Sequence, residues 1–279
     1  MKQLSVAVLQ LTSVDSETEN TIQILNLLKS IEGKNVKVAF LPENCLYLRV
    51  KEGTSIPAMS LQSPSIVELK KWVDRNHCAL HLGSVPISEN QKLYNSSIWL
   101  EPNLPARISY SKVHLFDITL TGQKPIRESD VFAAGTGPSV LNYLEWKFGQ
   151  SICYDLRFAE LYSEYANTEV SAILIPSCFL VPTGKAHWET LIRARAIESQ
   201  CYVIASAQSG VHQSVQGPHV RETYGHSLIV SPWGEKLVEM SGASGIEIFE
   251  LNQDVVDRVR QQIPMKNHRR LMKNKEANQ

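Results

Sequence analysis

Three residues of this sequence could together carry out nucleophilic attack on a carbonyl carbon. Cys153 ends the apolar segment 146–153, Glu43 follows Leu41-Pro42, and Lys112 closes another strand-like pattern. A thiol can attack the carbon, a carboxylate can take the thiol proton, and an ammonium group can stabilise the negative oxygen that forms. Ligands of open α/β folds bind where strands end, and all three residues stand at such ends.

Each of the three residues also has an ordinary structural interpretation. Cysteine is among the most buried residue types, so Cys153 alone could be an inert core thiol. Glu43 could be a capping or loop carboxylate, and Lys112 could be a solvated surface lysine. A strand that turns into a helix after Cys153 would place the thiol near a helix N-terminus, whose partial positive charge favours thiolate. Taken singly, these residues leave both alternatives open.

Short apolar strands and amphipathic helices alternate along the chain and would position these side chains. The run 6–11 predicts a strand buried on both faces, and the apolar spacing within 63–73 predicts a helix that begins at Pro64. The second half repeats the pattern, with a strand at 146–153, a helix at 158–166 and a long helix from Thr183-Gly184 to Gln200. The alternation predicts an α/β fold.

No linker or low-complexity segment divides the sequence. We therefore expect one domain over residues 1–270, followed by a polar C-terminal tail at 271–279. The 28 basic and 28 acidic residues balance, so charge gives no reason to expect nucleic acid or an anionic membrane as a partner.

The cysteine content and the apolar runs predict a cytoplasmic protein. Five cysteines are scattered without metal-finger or thioredoxin-like spacing, which is typical of a reducing compartment. The sequence enters a strand pattern directly after its first residues, so a signal peptide is not expected. No apolar run approaches the roughly 18 residues that span a bilayer.

Three ordered motifs resemble the nitrilase, or carbon–nitrogen hydrolase, superfamily. They are Leu41-Pro42-Glu43, Tyr110-Ser111-Lys112-Val113-His114-Leu115-Phe116-Asp117 and Cys153-Tyr154-Asp155-Leu156-Arg157-Phe158. The resemblance covers nearly the whole chain and implies an α-β-β-α sandwich with a Glu43–Lys112–Cys153 triad. It also implies homodimers or larger homo-oligomers.

Two further roles rest on the resemblance. The second glutamate of the family falls on Glu128, which would otherwise be interpreted as a loop charge. The backbone N–H of Tyr154 would join Lys112 in stabilising the oxyanion. These groups would cover every step of the reaction, so we expect no metal and no organic cofactor.

The segments 181–189 and 222–234 are similar to the Nit branch of this superfamily. That similarity implies an amidase that converts a small carboxamide to an acid and ammonia through a Cys153 thioester. Deaminated glutathione is the expected substrate and an ω-amide such as α-ketoglutaramate the alternative. Arg157 and Thr183 are candidates for gripping the substrate, although Arg157 could instead hold Glu160 or the helix start.

Other hypotheses stay open at the level of sequence. A catalytically silent binding protein could keep the same fold, and a carbamoylase would release carbon dioxide with ammonia. The chain departs from its relatives at Ala159, where many have proline, and at Asn44-Cys45-Leu46 beside the expected pocket. The pattern His77-Cys78-Ala79-Leu80-His81 could suggest zinc but needs a fourth ligand. Asn95-Ser96-Ser97 is a glycosylation sequon by spelling only.

Overall fold

Sixteen strands and six α-helices make up the computed structural model, which describes residues 2–119, 122 and 125–270. The strands are β1 Gln3–Gln10, β2 Val38–Phe40, β3 Ala79–Glu89, β4 Lys92–Leu100, β5 Arg107–Ser111, β6 Asp117–Ile118, β7 Ile126–Arg127, β8 Val140–Tyr143, β9 Trp146–Gln150, β10 Ala172–Leu174, β11 Tyr202–Ala205, β12 Ser209–Gln213, β13 Val220–Tyr224, β14 Leu228–Val230, β15 Lys236–Glu239 and β16 Gly245–Asn252. The helices are α1 Glu17–Leu28, α2 Pro64–Asn76, α3 Ala159–Asn167, α4 Val181–Ser199, α5 Gln253–Gln262 and α6 Met265–His268.

Two six-stranded sheets lie face to face. The first has the order β16-β1-β2-β3-β4-β5 and the second the order β15-β14-β11-β10-β9-β8. In each sheet three central strands run parallel, which are β1, β2 and β3 in the first and β9, β10 and β11 in the second. Apolar side chains fill the space between the sheets, where the rings of Phe40 and Phe148 lie 5.7 Å apart.

Helices cover the outer face of each sheet. Helix α2 begins at Pro64, as the sequence predicted, and buries Ile66, Leu69, Trp72 and Val73 against the first sheet. Helices α3 and α4 pack on the second sheet in the same way. The layers therefore run helix, sheet, sheet, helix, and the predicted α-β-β-α sandwich is confirmed.

The ends of parallel strands from the two sheets meet at Gly83. A Cβ atom there would lie 2.1 Å from the Leu41 carbonyl oxygen and 2.5 Å from Cβ of Pro176, so no side chain fits. Glu43 follows the first of these strand ends, and the Pro176 carbonyl accepts a hydrogen bond from the Cys153 N–H at 2.9 Å. This close approach brings the two residues to the same edge of the sandwich.

The strand predicted at 146–153 and the predicted long helix have different boundaries in the structure. The strand predicted at 146–153 ends at Gln150, because the chain turns into a 3₁₀ helix at Cys153–Arg157 before α3 begins. The long helix begins at Val181 rather than at Thr183, since Pro182 is well suited to a first helical turn. The polar tail predicted at 271–279 falls outside the described residues.

Candidate active site

Glu43 lies in a tight loop that continues from β2. The next residue, Asn44, has a positive φ of 57°, a conformation that asparagine adopts more readily than most residues. Its N–H donates to the Ser84 hydroxyl at 2.9 Å, beside the irregular pairing of β3 at 82–85. The backbone carbonyl of Glu43 accepts from the Gln208 side chain at 2.9 Å. These bonds fix the carboxylate at the end of the strand.

Lys112 is buried directly after β5, with only 2% of its surface exposed. Its backbone N–H donates to the Asn95 carbonyl at 2.9 Å, and its carbonyl accepts from Gly135 at 2.8 Å. The ammonium group lies 2.8 Å from Oε1 of Glu43 and 2.9 Å from Oε2 of Glu128. The structure therefore brings both carboxylates predicted from the sequence onto one ammonium group.

Asn95 joins this cluster, although sequence reasoning noticed it only as a sequon. Its buried Nδ2 donates to Glu43 and to Glu128, each at 3.1 Å. Its Oδ1 is buried and has no hydrogen-bond partner within the described residues. Strand pairing could have identified Asn95 as a site residue. Ser96 of β4 pairs with Ser111 of β5, and this register sets Asn95 beside Lys112.

Cys153 opens the 3₁₀ turn in a left-handed conformation, with φ of 48°. Non-glycine residues rarely adopt this conformation, and such strained positions cluster at functional sites. The thiol lines a cavity, and 8% of the residue is exposed. The turn thus presents the sulfur to the cavity instead of sealing it in the core.

Asp155 connects the turn of Cys153 to the segment of Lys112, a link that the sequence did not reveal. Its carboxylate is fully buried and accepts from the Tyr110 hydroxyl at 2.8 Å and from the His114 N–H at 2.9 Å. Tyr110 and His114 flank Lys112 on both sides. A rigid link of this kind holds the Cys153 thiol and the Lys112 ammonium group in fixed positions.

One cavity of about 850 Å³, counted with its open mouth, contains all seven of the predicted site residues. These are Glu43, Lys112, Glu128, Cys153, Tyr154, Arg157 and Thr183.

Arg157 lies on the wall of this cavity without an ion-pair partner among the described residues. Its guanidinium nitrogens are 3.3 Å from Nδ1 of His187, and it stands over the rings of Tyr154 and Phe179 at 5.8 and 5.6 Å. The alternative contact with Glu160 is not found in this part of the chain. The Arg157 charge is therefore open to an anionic ligand.

Thr183 lies in the first turn of α4 and also lines the cavity. Its hydroxyl donates to the Leu180 carbonyl at 3.1 Å. Because its proton is used in this bond, the hydroxyl oxygen remains as a hydrogen-bond acceptor.

A family model described as carbon-nitrogen hydrolase matches residues 5–261 of the sequence. The chain belongs to the carbon–nitrogen hydrolase family. The resemblance predicted from three motifs is thereby confirmed, and so is the assignment to hydrolases of carbon–nitrogen bonds.

Relatives in this family match nearly the full length. The chain is 34% identical to a deaminated glutathione amidase of Synechocystis sp., over 96% of this chain and 99% of that one. It is 35% identical to the protein of that name from Mus musculus, over 95% and 83% of the two chains. The crystal structure of the C. elegans NitFhit protein superposes with a TM-score of 0.87 at 32% identity, covering 97% of this chain and 66% of that one.

The Cys153 thiol is held in its neutral form. Burial raises its pKa well above the ordinary value, and the negative charge of Glu43 raises it further. The charge of Lys112 and the backbone of Cys178 lower the pKa, but by less than burial and Glu43 raise it. The direction of this shift is opposite to the thiolate expected from a helix N-terminus.

We expect this neutral thiol to be visible by ultraviolet titration. A free cysteine is half ionised at a pH of about 8.5, whereas Cys153 should remain protonated there because burial disfavours its charge. The measurement is the thiolate absorbance of the wild type minus that of Cys153→Ala. A difference signal already present at neutral pH would contradict this account.

Lys112 is held in its charged form. Burial by itself would lower the pKa of the ammonium group, but the charges of Glu128 and then Glu43 outweigh burial and raise that pKa well above its usual value. A buried ammonium group shared by two carboxylates has no reason to give up its proton. Lys112 therefore can act as a fixed positive charge rather than as a base.

Lys112→Met is expected to lower the free energy of unfolding by about 3–5 kcal/mol, because two neighbouring carboxylates lose their counter-charge. Urea unfolding of the wild type and the variant measures this difference in the free energy of unfolding. The double variant Lys112→Met/Glu128→Gln should recover part of the loss, and a deficit below about 1 kcal/mol would contradict a buried, paired site.

The segment His77 to His81 does not assemble a metal site. His77 is exposed at the end of α2, whereas His81 is buried and 3.3 Å from Oε1 of Gln150. Within the described ranges no group of three or more potential metal ligands occurs. In the same part of the chain no helix is long and apolar enough to cross a membrane.

Proposed function

We propose that this protein is an amidase that hydrolyses deaminated glutathione through a thioester on Cys153. One observation carries the proposal: the cavity that Cys153 lines has at its floor a Lys112 ammonium group paired with Glu43 at 2.8 Å. The relatives that bear the name deaminated glutathione amidase support the choice of substrate, since they match over at least 94% of the chain.

Attack on the amide begins with a proton transfer. Glu43 accepts the thiol proton as the sulfur of Cys153 bonds to the carbonyl carbon, so a free thiolate need not accumulate. Lys112 and the backbone N–H of Tyr154, the second residue of the same turn, stabilise the negative oxygen. Loss of one such donor typically costs about 3–4 kcal/mol in barrier height.

The intermediate then collapses to a thioester. The C–N bond breaks as protonated Glu43 donates its proton to the departing nitrogen. Ammonia is the second product when the substrate is a primary amide. In deaminated glutathione the nitrogen belongs to the amine of cysteinylglycine, so that dipeptide leaves instead.

Water completes the cycle. Glu43 takes a proton from water, the resulting hydroxyl adds to the thioester carbonyl, and the acid departs as the Cys153 sulfur regains its proton. Every step uses the thiol, one carboxylate and two oxyanion donors, so we propose no metal or organic cofactor.

Glu128 has a positioning role in this mechanism. It is bonded to Lys112 on one side and accepts from the Phe116 N–H at 2.6 Å on the other. Asn95 bridges it to Glu43. A carboxylate held in this way orients the ammonium group toward the oxyanion while the other glutamate moves protons.

Arg157 and Thr183 are proposed to bind the acyl half of the substrate. A 2-oxo acid carries a carboxylate, and a guanidinium group without a carboxylate partner among the described residues suits it. The aromatic walls of Tyr154 and Phe179 narrow the approach. Thr183 lies on the same side of the cavity as Arg157, because α4 carries both Thr183 and His187, and His187 contacts Arg157.

The protein is proposed to act in the cytoplasm as a homo-oligomer. All five cysteines are free, which supports a reducing compartment. Ile197 of α4 and Trp233 are 47% and 52% exposed, and apolar groups of this size on a surface favour subunit contact. The neutral charge gives no support for nucleic acid as a partner.

A panel of four substrates tests the proposed function. Deaminated glutathione, α-ketoglutaramate, a simple aliphatic amide and a nitrile are compared by kcat/KM with the purified full chain. We expect the highest value for deaminated glutathione and 2-oxoglutarate as its acid product. A preference for the nitrile, or release of carbon dioxide, would contradict the assignment. Absence of turnover with every compound would favour a silent binding protein.

A further inference from the structure

Two more arginines line the cavity and take no part in the mechanism above. Arg49 and Arg221 have side chains that are only 16% and 23% exposed. A guanidinium nitrogen of Arg221 donates to the Arg49 carbonyl at 3.2 Å, so the two side chains come from adjoining segments. Two positive charges are thus concentrated on one part of the wall.

This pair of charges is incompletely balanced. The nearest carboxylate is Glu52, which lies 2.9 Å from Arg49 and 3.6 Å from Arg221. Its side chain is 58% exposed, so one carboxylate facing solvent serves two guanidinium groups. Nε of Arg221 is buried and has no hydrogen-bond partner in the part of the chain that the structure describes. A buried donor without a partner is costly, and a ligand oxygen would remove that cost.

The position of the pair relates it to the departing half of the substrate. Glu43 gives its proton to the leaving nitrogen, so the amine half must lie beside Glu43. The loop that continues from Glu43 through Asn44 leads to Arg49, and all three residues line the cavity. Arg157 belongs instead to the turn of the nucleophile. The positive charges of the cavity therefore come from different segments, with Arg49 on the loop that continues from Glu43 and Arg157 on the turn of Cys153.

Arg221 also lies within electrostatic reach of the cavity floor. Burial raises the pKa of the Cys178 thiol to about 11, and the charge of Arg221 is the strongest influence in the opposite direction. Arg221, Cys178 and Cys153 line the same cavity, so a substrate bound at Cys153 can extend to Arg221.

We propose that Arg49 and Arg221 form a leaving-group subsite that binds a carboxylate on the amine half of the substrate. The inference rests on the proposed function and narrows its substrate class to amides whose departing amine is an amino acid or a short peptide. Arginine suits this role because its planar donors match the two oxygens of a carboxylate. The exposed carboxylate of Glu52 occupies the pair until substrate displaces it.

Three matched substrates test the subsite. Deaminated glutathione carries the terminal carboxylate, its C-terminal carboxamide lacks only that charge, and α-ketoglutaramate lacks the dipeptide altogether. For the wild type we expect kcat/KM to fall about 10- to 100-fold when the terminal carboxylate becomes a carboxamide, as a charged hydrogen bond is lost. The same loss is expected for Arg221→Gln acting on deaminated glutathione.

The variants and substrates are then crossed. Arg221→Gln and Arg49→Gln should act on the carboxamide and on α-ketoglutaramate at nearly the wild-type rate, which also reports that they fold. Arg157→Gln, in contrast, should impair all three substrates, because each keeps the acyl carboxylate. Arg49→Gln removes the Arg49 charge but keeps the Arg49 backbone carbonyl, which accepts the hydrogen bond from Arg221 on the β12–β13 hairpin. This variant therefore tests the charge alone, without loss of the bond that holds the hairpin.

Three outcomes would overturn the proposal, and they distinguish loss of the subsite from loss of the proposed function. Equal wild-type values for deaminated glutathione and its carboxamide, or an equal loss on all three substrates in both Arg49→Gln and Arg221→Gln, would leave the amidase intact and remove the subsite. Absence of turnover with all three substrates in the wild type would remove both the proposed function and the subsite.

Discussion

Cys153→Ala is expected to lower kcat/KM for deaminated glutathione by at least about 10⁴-fold. Without the sulfur no thioester forms. Lys112 and the Tyr154 N–H remain, but no oxyanion forms for them to stabilise because no side chain attacks the carbonyl carbon. Alanine removes a single atom at a position that is already near the cavity, so the fold should persist. Initial rates of 2-oxoglutarate release measure the effect, and thermal unfolding of the variant reports its stability.

Cys201→Ala is the matched control for this variant. Cys201 is a fully buried thiol that lies in the core between helices and the second sheet and does not line the cavity. Its loss should leave kcat/KM within a few-fold of the wild type. Activity that survives in Cys153→Ala, or falls as far in Cys201→Ala, would refute Cys153 as the nucleophile.

Glu43→Gln is expected to lower kcat by about 10²- to 10⁴-fold. Glutamine has the same shape and can still accept a bond from Lys112, but it can neither take the thiol proton nor protonate the leaving nitrogen. The raised pKa of Cys153 makes this loss severe, since the thiol does not ionise by itself near neutral pH. Steady-state kinetics and single-turnover acylation measure both halves of the cycle.

Glu128→Gln separates proton transfer from positioning. It changes the second carboxylate on the same ammonium group, so it perturbs Lys112 without removing the base. We expect a smaller loss of kcat than in Glu43→Gln. A larger loss in Glu128→Gln would exchange the roles assigned to the two glutamates.

The parts of the fold that follow from local pattern were predictable from the sequence. Apolar spacing at Ile66 and Trp72 together with Pro64 gave the start and buried face of α2, because helix periodicity and a first-turn proline are local properties. The continuous apolar run 6–11 identified β1 as a strand buried on both faces. The strand-like patterns that end before Glu43 and at Cys153 indicated where a site could form.

The parts that depend on distant contacts were not predictable in this way. Asp155 acts through bonds to Tyr110 and His114, more than forty residues earlier, and no local pattern marks it. Arg221 reaches the cavity from the β12–β13 hairpin, whose polar residues resemble a surface loop. The role expected for Glu128 came only from family resemblance, because the residue follows a two-residue strand without apolar periodicity.

The pKa of the nucleophile was also beyond sequence reasoning. A cysteine at the start of a helical turn suggests a stabilised thiolate, but the sign of the shift depends on burial and on the charge of Glu43. Both are consequences of how the two sheets pack. In the proposed mechanism, proton transfer to Glu43 replaces a lowered pKa as the means of activating the thiol.

The most direct test of the account is the mass of the protein during turnover. Full-length protein is mixed with deaminated glutathione, quenched with acid within one turnover and analysed intact and after digestion. The account predicts a mass increase equal to one 2-oxoglutaryl group, confined to the peptide that contains Cys153 and absent from Cys153→Ala. Turnover with no acyl group on Cys153, or with the group on another residue, would contradict it.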